Sequence, residues 1–216
     1  MLWRASKARP GRVLPAKFIQ PCVGIDGDKV PTGPGWLHEI KHDGYRTQVR
    51  KDGDRVRLFT RRGFDWTERY PRIVAAALKL QAVSFTMDGE TVCIGRNGVS
   101  DFQKLHSRCF DEEAIFYGFD LMTLEDEDLK PVPLIERKER LAKLLRRAPV
   151  GVHLVEHDTG DGASLFKAAC KMKLEGIVSK RAASRYMPGP KRCQSWRKTK
   201  NKSAPGYLRV RDGMDG

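Results

Sequence analysis

The chain has 216 residues, 40% hydrophobic and 31% charged, with a net charge of +14. That length allows one large domain or two small ones with a real core, and no apolar run approaches a membrane span or the centre of a signal peptide. Five widely separated cysteines without a C-x-x-C indicate neither a disulfide framework nor a thiolate zinc site and fit a reducing cytoplasm, while the excess of positive charge calls for a polyanion such as nucleic acid.

Residues 1–13 are basic and contain Pro and Gly, the pattern of a loose tail; the folded body is expected over 14–202 and a short tail over 203–216. Pro31 to Gly35 reads as a loop that delivers a strand of Trp36, Leu37 and Ile40, which ends at Lys41. Asp43-Gly44 is a turn signal, and Tyr45, Thr47 and Val49 then alternate with polar residues as a second strand. Arg55 to Thr60 alternates as its hairpin partner through Asp52-Gly53. A helix is predicted over 66–82, with Ile73, Ala76, Ala77 and Leu80 on one face and Thr67 as its cap. Ser84 to Ile94 reads as a strand interrupted by Asp88-Gly89, and 101–107 as a short helix. Ile115, Tyr117, Phe119 and Leu121 alternate as a strand, and 134–147 is an amphipathic helix. A strand over 150–156, a helix over 162–173 and strands over 176–179 and 195–199 complete the chain. Strands and helices mix without a βαβ repeat, so the fold class is α+β, with mainly antiparallel sheets flanked by helices.

Five short stretches carry chemistry-bearing residues. In Glu39-Ile40-Lys41-His42-Asp43-Gly44-Tyr45-Arg46, Lys41 is a candidate nucleophile for phosphorus, provided that partial burial and neighbouring cations lower its pKa. A single lysine at a strand end is ordinarily just wetted by solvent, so the reading depends on what other segments supply. Asp88-Gly89-Glu90 is by itself a routine hairpin turn; functionally it offers a carboxylate to a ribose hydroxyl or a metal. In Tyr117-Gly118-Phe119-Asp120, the glycine is expected to open space between two rings for a flat base. Glu175 to Lys180 pairs a metal-binding carboxylate with a phosphate-binding cation. In Trp196 to Lys200, Lys198 and Lys200 point the same way and call for an anion between them. The region 176–211 contains no Asp or Glu and eleven Lys or Arg, a one-signed run expected to meet phosphates. The string His153-Leu154-Val155-Glu156-His157 has the order of a helical zinc motif, but Val152, Leu154 and Glu156 alternate as a strand, which separates the two histidines.

These five segments, in this order, resemble the covalent nucleotidyltransferases: ATP-dependent DNA ligases, RNA ligases and mRNA capping enzymes. The wording at 33–46, 100–102 and 175–181 is similar to the ligase domain of bacterial ligase D-type end-joining enzymes. The resemblance implies the nucleotidyltransferase (ATP-grasp-like) adenylation fold and an enzyme that forms lysyl-AMP on Lys41 from ATP and passes AMP to a 5′-phosphate at a DNA nick. It further implies that Glu39 reads the adenine amino group with Ile40 beside it at the cofactor, that Arg46 and Glu90 hold the ribose side, and that Phe119 stacks on the base. Arg61 would meet nucleotide or DNA phosphate, and Lys180, Lys198 and Lys200 the nucleotide phosphates. Glu175 with Glu90 would hold Mg²⁺ or Mn²⁺. The implied partner is nicked or broken double-stranded DNA, without membrane involvement. In this family an OB-fold domain follows the last segment; about sixteen residues follow Lys200 here, too few for one, so an OB-fold or end-joining protein in trans, such as Ku or a ligase D-type partner, is expected. An RNA-directed enzyme of the same lysine chemistry and a non-catalytic DNA-binding module are the alternatives.

Overall fold

In the computed structural model, which describes residues 18–211, the chain is shared between two sheets. The strands are β1 (Val23–Asp26), β2 (Trp36–Ile40), β3 (Tyr45–Asp52), β4 (Arg55–Thr60), β5 (Ser84–Val92), β6 (Ile115–Leu124), β7 (Glu127–Asp128), β8 (Val152–Leu154), β9 (His157–Asp158), β10 (Gly176–Arg181) and β11 (Arg192–Lys200). The helices are α1 (Pro71–Leu78), α2 (Phe102–His106), α3 (Leu134–Leu145), α4 (Gly162–Lys171) and α5 (Pro205–Arg211). The first sheet has the order β1-β11-β10-β2-β9; the second runs β4-β3-β5-β6-β7, with β8 against β6. Only β1–β11 and β6–β8 are parallel among these pairings. The α+β, mainly antiparallel expectation holds.

Several local readings change. Asp43-Gly44 does not fold β2 back on β3; it carries the chain from one sheet to the other. Glycine is needed there because a Cβ on Gly44 would stand 2.2 Å from the Thr91 carbonyl oxygen. Asp88-Gly89 lies inside β5, and the irregularity it causes is a register shift against β6. The 66–82 helix shrinks to Pro71–Leu78, because Pro71 sets its first turn and Tyr70 takes the cap position. Thr67 instead accepts from the Leu58 amide and donates to Asp65. The 150–156 strand shortens to β8, which joins the second sheet, and β9 just beyond it joins the first. The 203–216 tail contains α5. The 1–13 tail lies outside the described residues. Gly118 points to the face opposite Tyr117 and Phe119, where a Cβ would meet Phe116 and Leu145, so it opens no space between the two rings.

The main core fills the space between the second sheet and helices α1 and α3, around Leu58, Ile73, Phe85, Met87, Phe116, Leu121 and Leu141. Each such side chain contributes about 1.5–3 kcal/mol by leaving water. A second cluster of Cys22, Met122, Tyr186, Cys193 and Trp196 joins the two sheets. The buried stripe of α3 runs Leu134, Arg137, Lys138, Leu141, Leu145, the spacing of an amphipathic face with two charges inside it. Arg137 is neutralised by Asp120 through two bonds of 2.7 and 2.9 Å. Lys138 reaches into the space between the sheets.

Candidate active site

A cavity of about 610 Å³ opens between the sheets, a volume in the range of nucleotide-sized ligands. From the first sheet it is lined by Val23, Gly24, Glu39, Ile40, Val178, Lys180, Trp196 and Lys198; the second contributes Tyr45, Arg46, Thr60, Glu90 and Phe119. Lys41, His42, Arg61, Arg62 and Phe64 come from the connections. The expected residues Lys41, Glu39, Ile40, Arg46, Arg61, Glu90, Phe119, Lys180 and Lys198 therefore share one cavity. Glu175 and Lys200 stand behind its wall, each in contact with a group at the site.

Lys41 closes β2. Its amide donates to the Gly176 carbonyl (3.0 Å), and Asn201 donates to the Glu175 carbonyl (2.9 Å). Gly176 has φ +135°, and a Cβ there would lie 2.1 Å from the Thr199 carbonyl oxygen. Only glycine lets these strands approach closely enough to set Glu175 beside Lys41. The Lys41 ammonium is ion-paired with Glu175 Oε2. Burial alone would lower the Lys41 pKa, but Glu175, Glu90 and Asp43 outweigh it and hold the pKa above the ordinary lysine value. The expected cation-lowered amine is thus corrected: the groups beside it are carboxylates. Glu90 shows the counterpart. Burial, Glu175 and Asp88 push its carboxyl up to about 8, against the pull of Lys41 and Arg46.

Arg46 is held rather than free. It donates to Asp88 through two bonds (3.1 and 2.6 Å) and to the Cys22 carbonyl (2.6 Å), while the Tyr186 hydroxyl donates to the same Asp88 (2.6 Å). Its guanidinium lies 5.4 Å from the centroid of Phe119 and 5.6 Å from that of Trp196. Lys180 Nζ sits 4.2 Å from the Phe119 centroid and 4.3 Å from that of Trp196. A base stacking on Phe119 therefore has to share that ring with cations. Arg61 is exposed at the mouth, where burial, Arg46 and Arg62 lower its pKa.

The two lysines of β11 do converge on an anion, and it belongs to the chain. Asp26 is registered opposite Lys198 in the parallel β1–β11 pair, with its Oδ1 3.2 Å from Lys198 and 3.6 Å from Lys200. Although burial opposes it, these lysines hold the Asp26 carboxyl below the ordinary aspartate range. The one-signed 176–211 run is likewise divided. Lys180 is buried against Glu39, Arg181 lies over Trp36 (4.0 Å), and Lys202 stands near Asp28 (3.7 Å).

Sequence reasoning missed five participants. Val178 enters the cavity from β10 on the same face as Lys180, a spacing readable from the strand. Lys138 occupied an apolar-stripe position of its helix, which was a signal. His42 stacks on Tyr117 (4.3 Å), and burial pushes its pKa down to about 4. Val155 and Asp26 had no signal, since only strand placement brings them to the site. His153 and His157 sit in strands of different sheets.

The chain matches the family described as ATP dependent DNA ligase domain over residues 27–200. It is 37% identical over 195 residues to the multifunctional non-homologous end joining protein LigD of Pseudomonas aeruginosa, a match taking in 88% of this chain and 23% of that protein. A probable DNA ligase of Streptomyces griseus is 32% identical over 215 residues, covering 92% of this chain and 41% of that one. The solved structure of mycobacterial DNA ligase D complexed with ATP and MES superposes with a TM-score of 0.72 at 32% identity, over 84% of this chain and 60% of that one. The chain thus spans less than half the length of these curated relatives.

Proposed function

The chain belongs to the family of ATP-dependent DNA ligase domains, and from that premise we propose that it activates and joins DNA ends through Lys41. The observation that carries this reading is the placement of Lys41 in the cavity wall, ion-paired to Glu175, in the same cavity as Glu90 and Lys198. Lys41 Nζ, once neutral, bonds to the α-phosphorus of ATP. The bond from that phosphorus to the oxygen bridging the β-phosphate breaks, and pyrophosphate leaves with the electron pair. Glu175, already paired with the ammonium, is the path for its proton. An oxygen of a DNA 5′-phosphate then takes the adenylyl group from Lys41. A 3′-hydroxyl attacks that 5′-phosphorus and releases AMP.

Lys198 and Lys200 neutralise phosphate charge, for which they exchange Asp26 for the ligand. Phe119 and Val178, from different sheets, contact the base; Glu39 and Ile40 meet its edge; Arg46 and Glu90 hold the ribose side. Arg61, at the mouth, meets phosphate. No group of three or more His, Cys, Asp or Glu gathers among the described residues, so a divalent cation needs ligand oxygens besides the protein's. Glu90 and Glu175 fit as its protein ligands, because both carboxylates act on the Lys41 ammonium at the cavity. Mg²⁺ or Mn²⁺ held there would neutralise phosphate and the carboxylates that keep Lys41 protonated. The DNA substrate is a nick or break in a duplex. The LigD relatives support a role in end joining.

Incubation with α-labelled ATP and Mg²⁺ or Mn²⁺, followed by denaturing electrophoresis, tests the first step. Label is expected on the wild type and not on Lys41→Ala, and it should chase to AMP-DNA and sealed product on a nicked duplex. Equal labelling of both proteins, or none with either metal, refutes the assignment.

A further inference from the structure

Three ionisable side chains from three elements meet inside the cavity wall: Glu39 of β2, Lys138 of α3 and Lys180 of β10. All three are at least 98% buried. The two lysines are not equivalent. Lys138 Nζ donates to Glu39 Oε1 (2.7 Å), the Val155 carbonyl (3.2 Å) and the Phe119 carbonyl (3.4 Å). These three acceptors use all three ammonium protons, and they come from both sheets and the β8–β9 connection. Lys180 stands 2.5 Å from Glu39 Oε2 in an ion pair outside hydrogen-bond geometry, and otherwise rests on the faces of Phe119 and Trp196. Lys138 is the anchored counter-ion and Lys180 the exchangeable one.

We infer that Lys138 is a positioning residue for base selection: acting through Glu39, it makes the cavity accept a purine with an amino group at C6 and reject one with a carbonyl there. This inference rests on the reading above that Glu39 meets the base. With Lys138 bonded to one lone pair of Oε1 and Lys180 only ion-paired to Oε2, the Glu39 carboxylate keeps lone pairs that accept from an amine. An ionised carboxylate cannot donate to a carbonyl, so hypoxanthine or guanine would set acceptor against acceptor in a buried site, which is strongly disfavoured. When Lys180 turns toward a phosphate, Lys138 alone keeps Glu39 charged. The same ammonium holds the carbonyls of Phe119 and Val155, so the ring and the edge-reading group keep one spacing.

The electrostatics agree. Burial alone would raise the Glu39 carboxyl, but Lys138 and Lys180 hold it below the ordinary glutamate range. The other titratable groups facing Glu39 are His42 and His157, the latter its β9 partner. Burial pushes both below the ordinary histidine value, His42 to about 4.

The test is the second-order rate of covalent labelling by α-labelled ATP and α-labelled inosine triphosphate from pH 5.5 to 8.5. It compares the wild type, Lys138→Met and Lys138→Arg, with folding checked by circular dichroism. The wild type is expected to prefer ATP by about 100-fold or more, with a flat pH profile. Lys138→Met should lose about tenfold of that preference, mostly through a gain for inosine triphosphate and most at low pH, where Glu39 becomes a donor. Lys138→Arg should restore the preference, which a role in packing alone would not explain. A folded Lys138→Met that labels with the wild-type preference overturns the inference. If that variant does not fold, the wild-type profile decides, because a preference that collapses toward pH 5.5 with Lys138 in place overturns it equally. Absence of ATP label from the wild type overturns both this inference and the function it rests on; label with unchanged preference in Lys138→Met overturns this one alone.

Discussion

On the proposed function, Asp26 is the acid that a nucleotide phosphate has to replace, so Asp26→Asn should improve ATP capture rather than impair it. The carboxylate is 51% exposed and stands 3.2 Å from Lys198 and 3.6 Å from Lys200. Pairs this exposed are screened and contribute about 0.2–1 kcal/mol each. Releasing both lysines therefore makes about 0.4–2 kcal/mol available to an incoming anion, or about 2- to 30-fold in an equilibrium constant. The amide keeps the shape of the side chain, and the β1–β11 backbone register is untouched, so stability should fall by less than about 2 kcal/mol. The assay is the ATP dependence of Lys41 labelling at two ionic strengths. KM should fall within that range, with a smaller gain at high salt. Asp28→Asn, next to Lys202 and 92% exposed, serves as a surface control and should leave KM unchanged. A KM that rises in Asp26→Asn would refute the competition and make Asp26 part of the nucleotide or cation site.

Glu90 makes stability depend on pH in a stated direction. Its carboxyl is pushed up from 4.5 to about 8, so the folded state holds that proton more tightly than the unfolded chain. The stabilising contribution is complete below about pH 4.5 and is lost as pH rises through 8. Thermal melts without nucleotide or divalent cation should show Glu90→Gln equal to wild type near pH 4.5, with an advantage that widens to about pH 8 and then levels off. An advantage constant across pH would refute this. The Arg137–Asp120 pair has no exposed side-chain surface. Arg137→Met should cost about 3–5 kcal/mol by urea denaturation because it strands a buried carboxylate, and adding Asp120→Asn should recover part of the loss. A loss under about 1 kcal/mol in the single variant would show that water already reaches the pair.

The strands around the nucleophile were legible because their signals are local. Period-two alternation over Tyr45 to Val49 and Arg55 to Thr60 is written in neighbouring residues and survives any packing. The family was legible for a related reason: Lys41 with Asp43-Gly44, Glu90, Phe119, Glu175 and Lys198 are residue types whose order along the chain carries information before the chain folds. Element ends were less legible. Pro71 sets where α1 begins, while the surrounding apolar spacing extends on both sides of it.

Partnership between distant residues was not legible. Asp43-Gly44 reads as a hairpin turn in any local window, and only the division of β2 and β3 between two sheets makes it the floor of a cleft. Gly118 seemed to make room between rings until the strand's facing turned it to the opposite side. The charge state of Lys41 was misjudged for the same reason: the cations near it in sequence were visible, whereas Glu175 and Glu90 arrive from 134 and 49 residues away. Composition and order carried the α+β class and the signature of the family to which this chain belongs. Tertiary structure decided which carboxylates hold that lysine protonated, which aspartate stands between the two β11 lysines, and which buried lysine keeps Glu39 charged, because electrostatic energy depends on distances through space that the order of residues does not contain.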